Sequence, residues 1–558
     1  MSQYILGLNG WIERSHDATA CIVKDGRILA MAEEERFIRR KHAYDKIPIH
    51  ATRWCLDQVG IGLDDIDHVA LGWDYRLLYE KAGRADYEPS NLAKLFFPKK
   101  YFSYTKKPKI DLVPHHLAHA ASAYYLSGMD EASILIVDGQ GETESTTYAI
   151  GRGDQIEILD RFPISSSLGY FYEAIGEFIG LGPDAAGKTM GLASYGRGKY
   201  EFKPFKLLPN GYDITLPTIA SQRGLDQQPE ITSAWRVVLK KMFGEENEVK
   251  RGLSNIRNKF IKELKLSQLH KDIAASAQTQ LEKTIQHNVN VLIDKSGINN
   301  LCIAGGVALN CTSNGKIVST TKATKVFIPP FANDAGVSVG AALYLGGKKA
   351  KTELTSAYFG PSYSNSDIQK TLKKLGMSYK KDSSIEKKVA SILAGGKTVA
   401  WFQGQMEIGP RALGNRSILA NPSIKSMHKV VNEAKAREQW RPLSPSVLEE
   451  KKEEYFELQD RSPFMLFATE VKKEKRNKIP AVVHVDGSAR PQTVSRLTNP
   501  RYHKLISEFE KLTAIPLVLN TSFNGAGEPI VCSPYDAISS FYTSSTDYLA
   551  INDFLIRK

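Results

Sequence analysis

Two stretches of this chain repeat one pattern, an apolar run ending in a polar or glycine-bearing loop, then two more apolar runs joined by a tight turn. The first copy predicts strands over residues 4–8, 18–23 and 28–32, with Lys24-Asp25-Gly26-Arg27 as the turn. The second predicts strands over 133–138, 146–150 and 155–159, around Gly151-Arg152-Gly153-Asp154. Asp-Gly between apolar runs signals a hairpin, because such turns need left-handed backbone that these residues tolerate. A strand–loop–hairpin unit occurring twice restricts the fold to a duplicated α/β domain, although the copies share pattern more than identity. Helical periodicity falls over 49–59, 115–126 and 261–295, a buried strand over 300–304, another over 326–329, and a small-residue helix over 336–344.

A polar break from Gly346 to about residue 360 predicts a boundary, giving domains 1–350 and 361–558. The second domain opens with a helix over 364–375 and a buried strand over 398–402, and closes with strands over 516–519 and 548–551. With 42% hydrophobic and 24% charged residues, 558 residues suffice for two cores, and disorder is excluded. No apolar run is long enough for a membrane span, and the first residues run into a strand rather than a signal peptide. Five scattered cysteines without a C-x-x-C pair are expected to be reduced thiols of a cytoplasmic protein. The net charge of +13 suits either a polyanion or small phosphorylated substrates, and much of it lies in scattered lysine clusters typical of solvated loops.

Three regions could carry chemistry. His115 and His119 are four apart, so a helix puts both imidazoles on one face, within reach of one metal. Asp138 ends a strand before Gly139-Gln140-Gly141, and Asp334 stands between a strand and a helix. Either aspartate could be a ligand, a turn residue or a helix cap. Two His and two Asp suit Fe, Zn or Mn without choosing among them. Gly305-Gly306-Val307-Ala308-Leu309-Asn310 follows a strand, fitting close helix–strand packing or nucleotide binding equally, and it is no Walker loop. Residues 407–417, 435–442, 484–493 and 520–524 set arginines and lysines beside Gly, Ser and Asn. That suggests a pocket for more than one phosphate, with surface ion pairing as the alternative.

These stretches together resemble the O-carbamoyltransferases of the NodU/CmcH family. The resemblance runs over nearly the whole chain, on Gly7-Leu8-Asn9-Gly10-Trp11, His16-Asp17-Ala18, Ala32-Glu33-Glu34-Glu35-Arg36-Phe37, residues 115–119, Val137-Asp138-Gly139-Gln140-Gly141, 305–310, 409–417 and Trp440-Arg441-Pro442. It implies an actin/hexokinase-like (ASKHA) N-terminal domain and a YrdC-like α/β C-terminal domain. In the family, the YrdC-like domain makes carbamoyladenylate from carbamoyl phosphate and ATP. The N-terminal domain, carrying Fe(II), then passes the carbamoyl group to a hydroxyl of a small molecule, here expected to be a natural product or a sugar-containing acceptor.

By the same resemblance Lys435, Arg411, Arg416, Arg441, Arg490 and Ser522 hold the anions, with Lys435 and Arg490 catalytic. Lys41 binds phosphate, and Gly169, Gly306 and Asn310 line the adenylate. His16 is the candidate base for the acceptor hydroxyl, with an ordinary hydrogen-bonded loop histidine as the alternative, and His115, His119, Asp138 and Asp334 hold the metal. Two departures stand out: Arg14 occupies a position that is acidic in an aminoglycoside-modifying relative, and Ala186-Gly187-Lys188 replaces Pro-Gly-Lys. Arg14 disfavours a cationic acceptor, and Asp226 is a further candidate contact to it. A tRNA-threonylcarbamoylating protein, a nucleotide-binding scaffold and a kinase are the competing readings. The missing aromatic-studded basic surface argues against a nucleic-acid partner. Homo-oligomerisation stays open.

Overall fold

The computed structural model describes residues 3–10, 15–84, 89–217, 225–247, 266–347, 353–458 and 460–558. Arg14, Trp11 and the start of the helix predicted from residue 261 lie outside the described residues. Two compact units divide the chain, one of residues 1–38 and 42–354, the other of 355–558 with the short segment Arg39–Lys41.

The first unit contains two five-stranded sheets of the same topology. In one, β1 (Tyr4–Asn9), β2 (Thr19–Lys24), β3 (Arg27–Glu33), β4 (His68–Leu71) and β5 (Ile110–Leu112) run in the order β3-β2-β1-β4-β5. The first three are antiparallel, and β4 and β5 add in parallel to β1. In the other, β6 (Glu131–Val137), β7 (Glu144–Arg152), β8 (Gln155–Pro163), β9 (Asn300–Ala304) and β10 (Lys325–Phe327) repeat that order as β8-β7-β6-β9-β10, again with an antiparallel meander and two parallel additions. This is the duplicated actin/hexokinase-type architecture. Its first hairpin turns on Asp25 and Gly26 at φ 49° and 74°, the left-handed pair a two-residue turn requires.

Two helices position the site. Helix α1 (His115–Tyr124) follows β5, and α2 (Ala335–Gly346) follows β10. They cross closely at a glycine: a Cβ on Gly340 would stand 1.8 Å from the Ala118 carbonyl oxygen. Both helices are buried almost throughout, so burial rather than an amphipathic stripe holds them. Gly305, after β9, has φ 93°, and a Cβ there would meet the Val137 carbonyl oxygen at 2.2 Å. Backbone strain and overpacking each cost about 1–3 kcal/mol at such a position. Gly305→Ala is therefore expected to lower stability by about 2–5 kcal/mol, read by chemical denaturation.

The second unit is a YrdC-like α/β fold on one eight-stranded mixed sheet. Its strands are β11 (Lys380–Lys381), β12 (Val399–Phe402), β13 (Arg416–Ala420), β14 (Ser444–Leu448), β15 (Gln492–Val494), β16 (Leu517–Ser522), β17 (Tyr548–Ile551) and β18 (Phe554–Arg557), ordered β11-β18-β17-β12-β13-β16-β14-β15. Alternate residues of β12 face opposite cores. Val399 and Trp401 pack with Val389, Val431 and Phe509, while Ala400 and Phe402 pack with Leu372, Ile538 and Phe541. Helices therefore cover both faces of the sheet, as its two apolar faces require. Among the described residues no helix is long and apolar enough to cross a membrane.

Candidate metal centre and anion site

In the first unit the predicted quartet comes together. His115 and His119 lie on α1, Asp138 follows β6, and Asp334 precedes α2; all four are buried. His119 Nε2 is 3.0 Å from Asp138 Oδ2 and 3.7 Å from Asp334 Oδ1; His115 Nε2 is 3.5 and 3.6 Å from the same oxygens. The two Nε2 atoms face each other at 3.2 Å. Two imidazole nitrogens and two carboxylate oxygens converging away from water are an array that wants a cation at its centre.

The surroundings leave the right atoms available. Asp138 Oδ1 accepts the backbone amides of Gly139 (2.8 Å) and Gly306 (3.0 Å), whereas its buried Oδ2 accepts no well-formed hydrogen bond. His115 Nδ1 faces the Gly72 carbonyl at 3.2 Å, which favours the tautomer with Nε2 directed inward. Asp334 stands at the N-cap of α2 yet makes no side-chain cap hydrogen bond, so the capping alternative fails there. Burial opposes the charged form of His115, but Asp334 and Asp138 outweigh it and raise its pKa to about 10. Burial likewise pushes Asp334 up, and His16 and His115 more than reverse that. The site holds its opposite charges only by pairing them, as it would around a metal.

Sequence reasoning missed two supports of this centre. Glu142, itself buried, accepts the backbone amide of His115 at 2.9 and 3.1 Å and that of Asp74 at 2.8 Å. It thus caps α1 with a carboxylate from outside the helix. Trp73 stacks on His115 with ring centroids 3.8 Å apart and donates Nε1–H to Asn9 Oδ1 at 3.1 Å. No local pattern ties residues 73 and 142 to the helix at 115.

His16 lies beside the quartet, its side chain 44% exposed, with Nδ1 3.2 Å from Asp17 Oδ2 and 3.9 Å from Asp334 Oδ2. Asp17 is held in turn by His42 Nδ1 at 2.9 Å and by Asn333 Nδ2, which donates at 2.7 Å. Asn9 Nδ2 donates to the carbonyls of His16 and Asp17, both at 3.2 Å. Gly306 supports Asp138 through its amide, and Gly169 packs against Gly139. Asn310 differs from the expectation of an adenylate contact. Its amide pairs both ways with Gln278 at 3.0 Å and caps the helix Cys311–Thr320, so its side chain is engaged within the fold. Asp226 accepts the amide of Gln228 at 2.8 Å, and Ala186-Gly187-Lys188 opens the helix Ala186–Ala193.

The second unit gathers cations. Lys435, buried at the end of helix α3 (Met427–Ala434), donates through Nζ to Ser522 O, Ser522 Oγ (3.1 Å), Asn524 O (3.2 Å) and Asn524 Oδ1 (2.7 Å). Burial, then repulsion from Arg437, Arg441 and Lys41, lowers its pKa well below the usual lysine range. Arg441 is likewise lowered by burial, and Arg490 adds repulsion against the pull of Glu438. Arg490 donates Nε and Nη2 to Ser444 Oγ at 3.2 and 3.1 Å. Cations pressed together, with mostly neutral partners, form a cluster that can accept an anion. Arg411 is on the loop before β13, whose backbone amides at Leu413 (2.7 Å), Asn415 (3.3 Å) and Arg416 (3.2 Å) donate to the buried Glu407 Oε1.

Arg416 does not belong to that set. It is fully buried, stacks on Phe402 at 3.6 Å, and donates to the carbonyls of Gln403 (2.7 Å), Asn415 (2.9 Å), Pro361 (2.9 Å) and Gly404 (3.3 Å). With its guanidinium enclosed by backbone oxygens, it braces the loop and presents no fork to a phosphate.

Family models for the carbamoyltransferase N-terminus and C-terminus match residues 4–343 and 390–558. The chain belongs to the carbamoyltransferase family. It is 37% identical to the nodulation protein NolNO of Sinorhizobium fredii over 97% of this chain and 79% of that protein. It is 35% identical to the uncharacterized protein sll1178 of Synechocystis over 100% of this chain and 97% of that one. Among solved structures it is similar to full-length HypF in its phosphate- and nucleotide-bound form, with a TM-score of 0.33, 13% identity, and coverage of 62% of this chain and 55% of that one. This carbamoyltransferase thus holds a buried His/Asp centre in its N-terminal unit and a cation cluster in its C-terminal unit.

Proposed function

We propose that the C-terminal unit makes carbamoyladenylate from carbamoyl phosphate and ATP, and that the N-terminal unit transfers the carbamoyl group to a hydroxyl of a small-molecule acceptor. The observation that carries this reading is the chemical division of labour: a cation cluster with mostly neutral partners in one unit, a metal-binding donor set in the other. Water hydrolyses carbamoyl phosphate to phosphate and carbamate; a carbamate oxygen then attacks the α-phosphorus of ATP, forming the P–O bond of carbamoyladenylate as pyrophosphate leaves. Lys435, Arg411, Arg441 and Arg490, with Lys41 and the Ser522 hydroxyl, bind these anions and offset their mutual repulsion, so that positioning and electrostatics supply the rate.

In the transfer step the acceptor oxygen attacks the carbamoyl carbon, the O–P-linked AMP leaves, and the hydroxyl proton must be taken up. His16 Nε2 is the candidate acceptor of that proton, with Asp17 holding Nδ1. Asp334 and Asp17 favour protonated His16, so a base role needs their charge offset. A divalent cation held by His115, His119, Asp138 and Asp334 would supply Lewis-acid polarisation of the carbamoyl or phosphate oxygens. We take it to be Fe(II) on the family resemblance; the N/O donor set alone does not select it over Zn or Mn. With nucleotide and carbamoyl phosphate as substrates, and five buried thiols, we place the enzyme in the cytoplasm.

The test is pyrophosphate release from ATP without any acceptor. Release that depends on carbamoyl phosphate is expected. Release only with bicarbonate and threonine would point to tRNA modification instead, and none with any donor, from metal-loaded folded enzyme, would overturn the proposal.

A further inference from the structure

The loop before β13 carries Arg411, and it is folded around a carboxylate of the chain itself. Glu407 has no exposed surface, and its Oε1 accepts the backbone amides of Leu413 (2.7 Å), Arg416 (3.2 Å) and Asn415 (3.3 Å). Backbone amides aimed at one point make a cradle for an anion. Here Glu407 fills that cradle from within, and its other oxygen, Oε2, is buried without a hydrogen bond.

Carbonyls of the same loop are held by donors. Arg416, also without exposed surface, donates to the carbonyls of Gln403, Gly404 and Asn415. The Tyr358 hydroxyl and Gln492 Nε2 each donate to Leu413 O at 2.7 Å, and Asn520 Nδ2 donates to Ala412 O at 3.1 Å. One buried charge thus collects the N–H groups of the loop and the opposite charge its C=O groups. Burial works against the charge on Arg416, and Glu407 is the first group to offset it. Ala412 and Leu413, fixed in this way, directly follow Arg411 in the chain. The bends around them need left-handed backbone, at Gly409 (φ 98°) and Gly414 (φ 102°). Gly414 also lies against Tyr502, whose ring would stand 2.2 Å from a Cβ there.

We propose that Glu407 is the positioning residue of Arg411: by ordering the amides of residues 413–416, its carboxylate sets the direction in which the guanidinium meets the substrate anions. The inference rests on the proposed function above, in which Arg411 binds those anions. Glutamine at 407 keeps the size and one acceptor oxygen but loses the charge that draws three amides together. The loop then relaxes and Arg411 shifts, and a misplacement of about 1 Å can cost about 10²-fold in rate.

A double-mutant cycle on acceptor-free pyrophosphate release tests this, using full-length, metal-loaded enzyme, ATP and carbamoyl phosphate, with thermal unfolding of each variant. Glu407→Gln is expected to lower kcat/KM by about ten- to a hundredfold, and Arg411→Ala by about a hundredfold or more. The double variant is expected to stay within about twofold of Arg411→Ala alone, because the aim of a guanidinium ceases to matter once it is gone. Losses that multiply in the double variant overturn the proposal, since Glu407 then acts on the unit as a whole. Wild-type kcat/KM in either single variant overturns it as well, and leaves carbamoyladenylate formation standing. A wild type that releases no pyrophosphate overturns the proposed function itself. Should Glu407→Gln fail to fold, Glu407→Asp replaces it in the cycle. It keeps the charge and withdraws the carboxylate by one methylene, and a loss of about three- to tenfold is expected that vanishes on Arg411→Ala. Wild-type activity, or a loss that persists there, overturns the proposal.

Discussion

On the proposed function, Lys435→Ala is expected to abolish carbamoyl-phosphate-dependent pyrophosphate release, by about 10³-fold or more, while leaving metal binding by the His/Asp quartet unchanged. The ammonium is buried and surrounded by four oxygens of Ser522 and Asn524, so it is fixed before any substrate arrives. A preorganised donor aimed at developing charge contributes about 10²–10³ in rate, and here the same cation also offsets repulsion between incoming anions. Losing it leaves the Ser522 and Asn524 oxygens facing one another without a positive charge between them. Lys435→Arg is expected to recover little, because four oxygens closing on a compact ammonium leave no room for a planar guanidinium. The measurement is pyrophosphate release at saturating ATP, with metal content by elemental analysis. A variant retaining a tenth of wild-type release would remove Lys435 from the chemistry.

His115→Ala has the opposite signature. Acceptor carbamoylation falls by about 10³-fold or more, whereas acceptor-free pyrophosphate release stays within about twofold of wild type. The substitution removes one of two facing nitrogens, the ring stacked on Trp73 and the partner of the Gly72 carbonyl. It leaves Asp138 and Asp334 with a single imidazole, and their negative charge buried with less to balance it. Weaker metal binding is expected together with the loss of transfer, and a chelator should reproduce the same split in the wild type. Equal loss of both half-reactions in His115→Ala would break the assignment of two chemistries to two units.

Much of the site was legible because its residues lie where local patterns end. His115 and His119 share a helical face by their spacing, and Asp138 follows a strand into glycines; both observations need only the periods of helix and strand. The dense arginine and lysine runs beside glycine and serine suggested an anion pocket, with surface ion pairing as the alternative. What those patterns could not do is sort individual cations. Arg416 and Arg437 look alike in the chain, yet one is enclosed by backbone carbonyls and the other is held by an amide among cations. Asn310 looked like a ligand contact and turned out to be paired with Gln278, 32 residues away.

By itself the sequence determined the duplicated strand pattern, the helix carrying both histidines and the types of donor available to each site. These follow from periodicity and composition over a few adjacent residues. Only the tertiary structure decided which groups meet. Gly340 brings α2 against α1, Glu142 caps α1 from 27 residues away, and Gly306 occupies one oxygen of Asp138 so that the other turns to the imidazoles. Contacts between distant segments depend on close packing and on the pairing of every buried polar atom, and neither condition is written in any short stretch of chain.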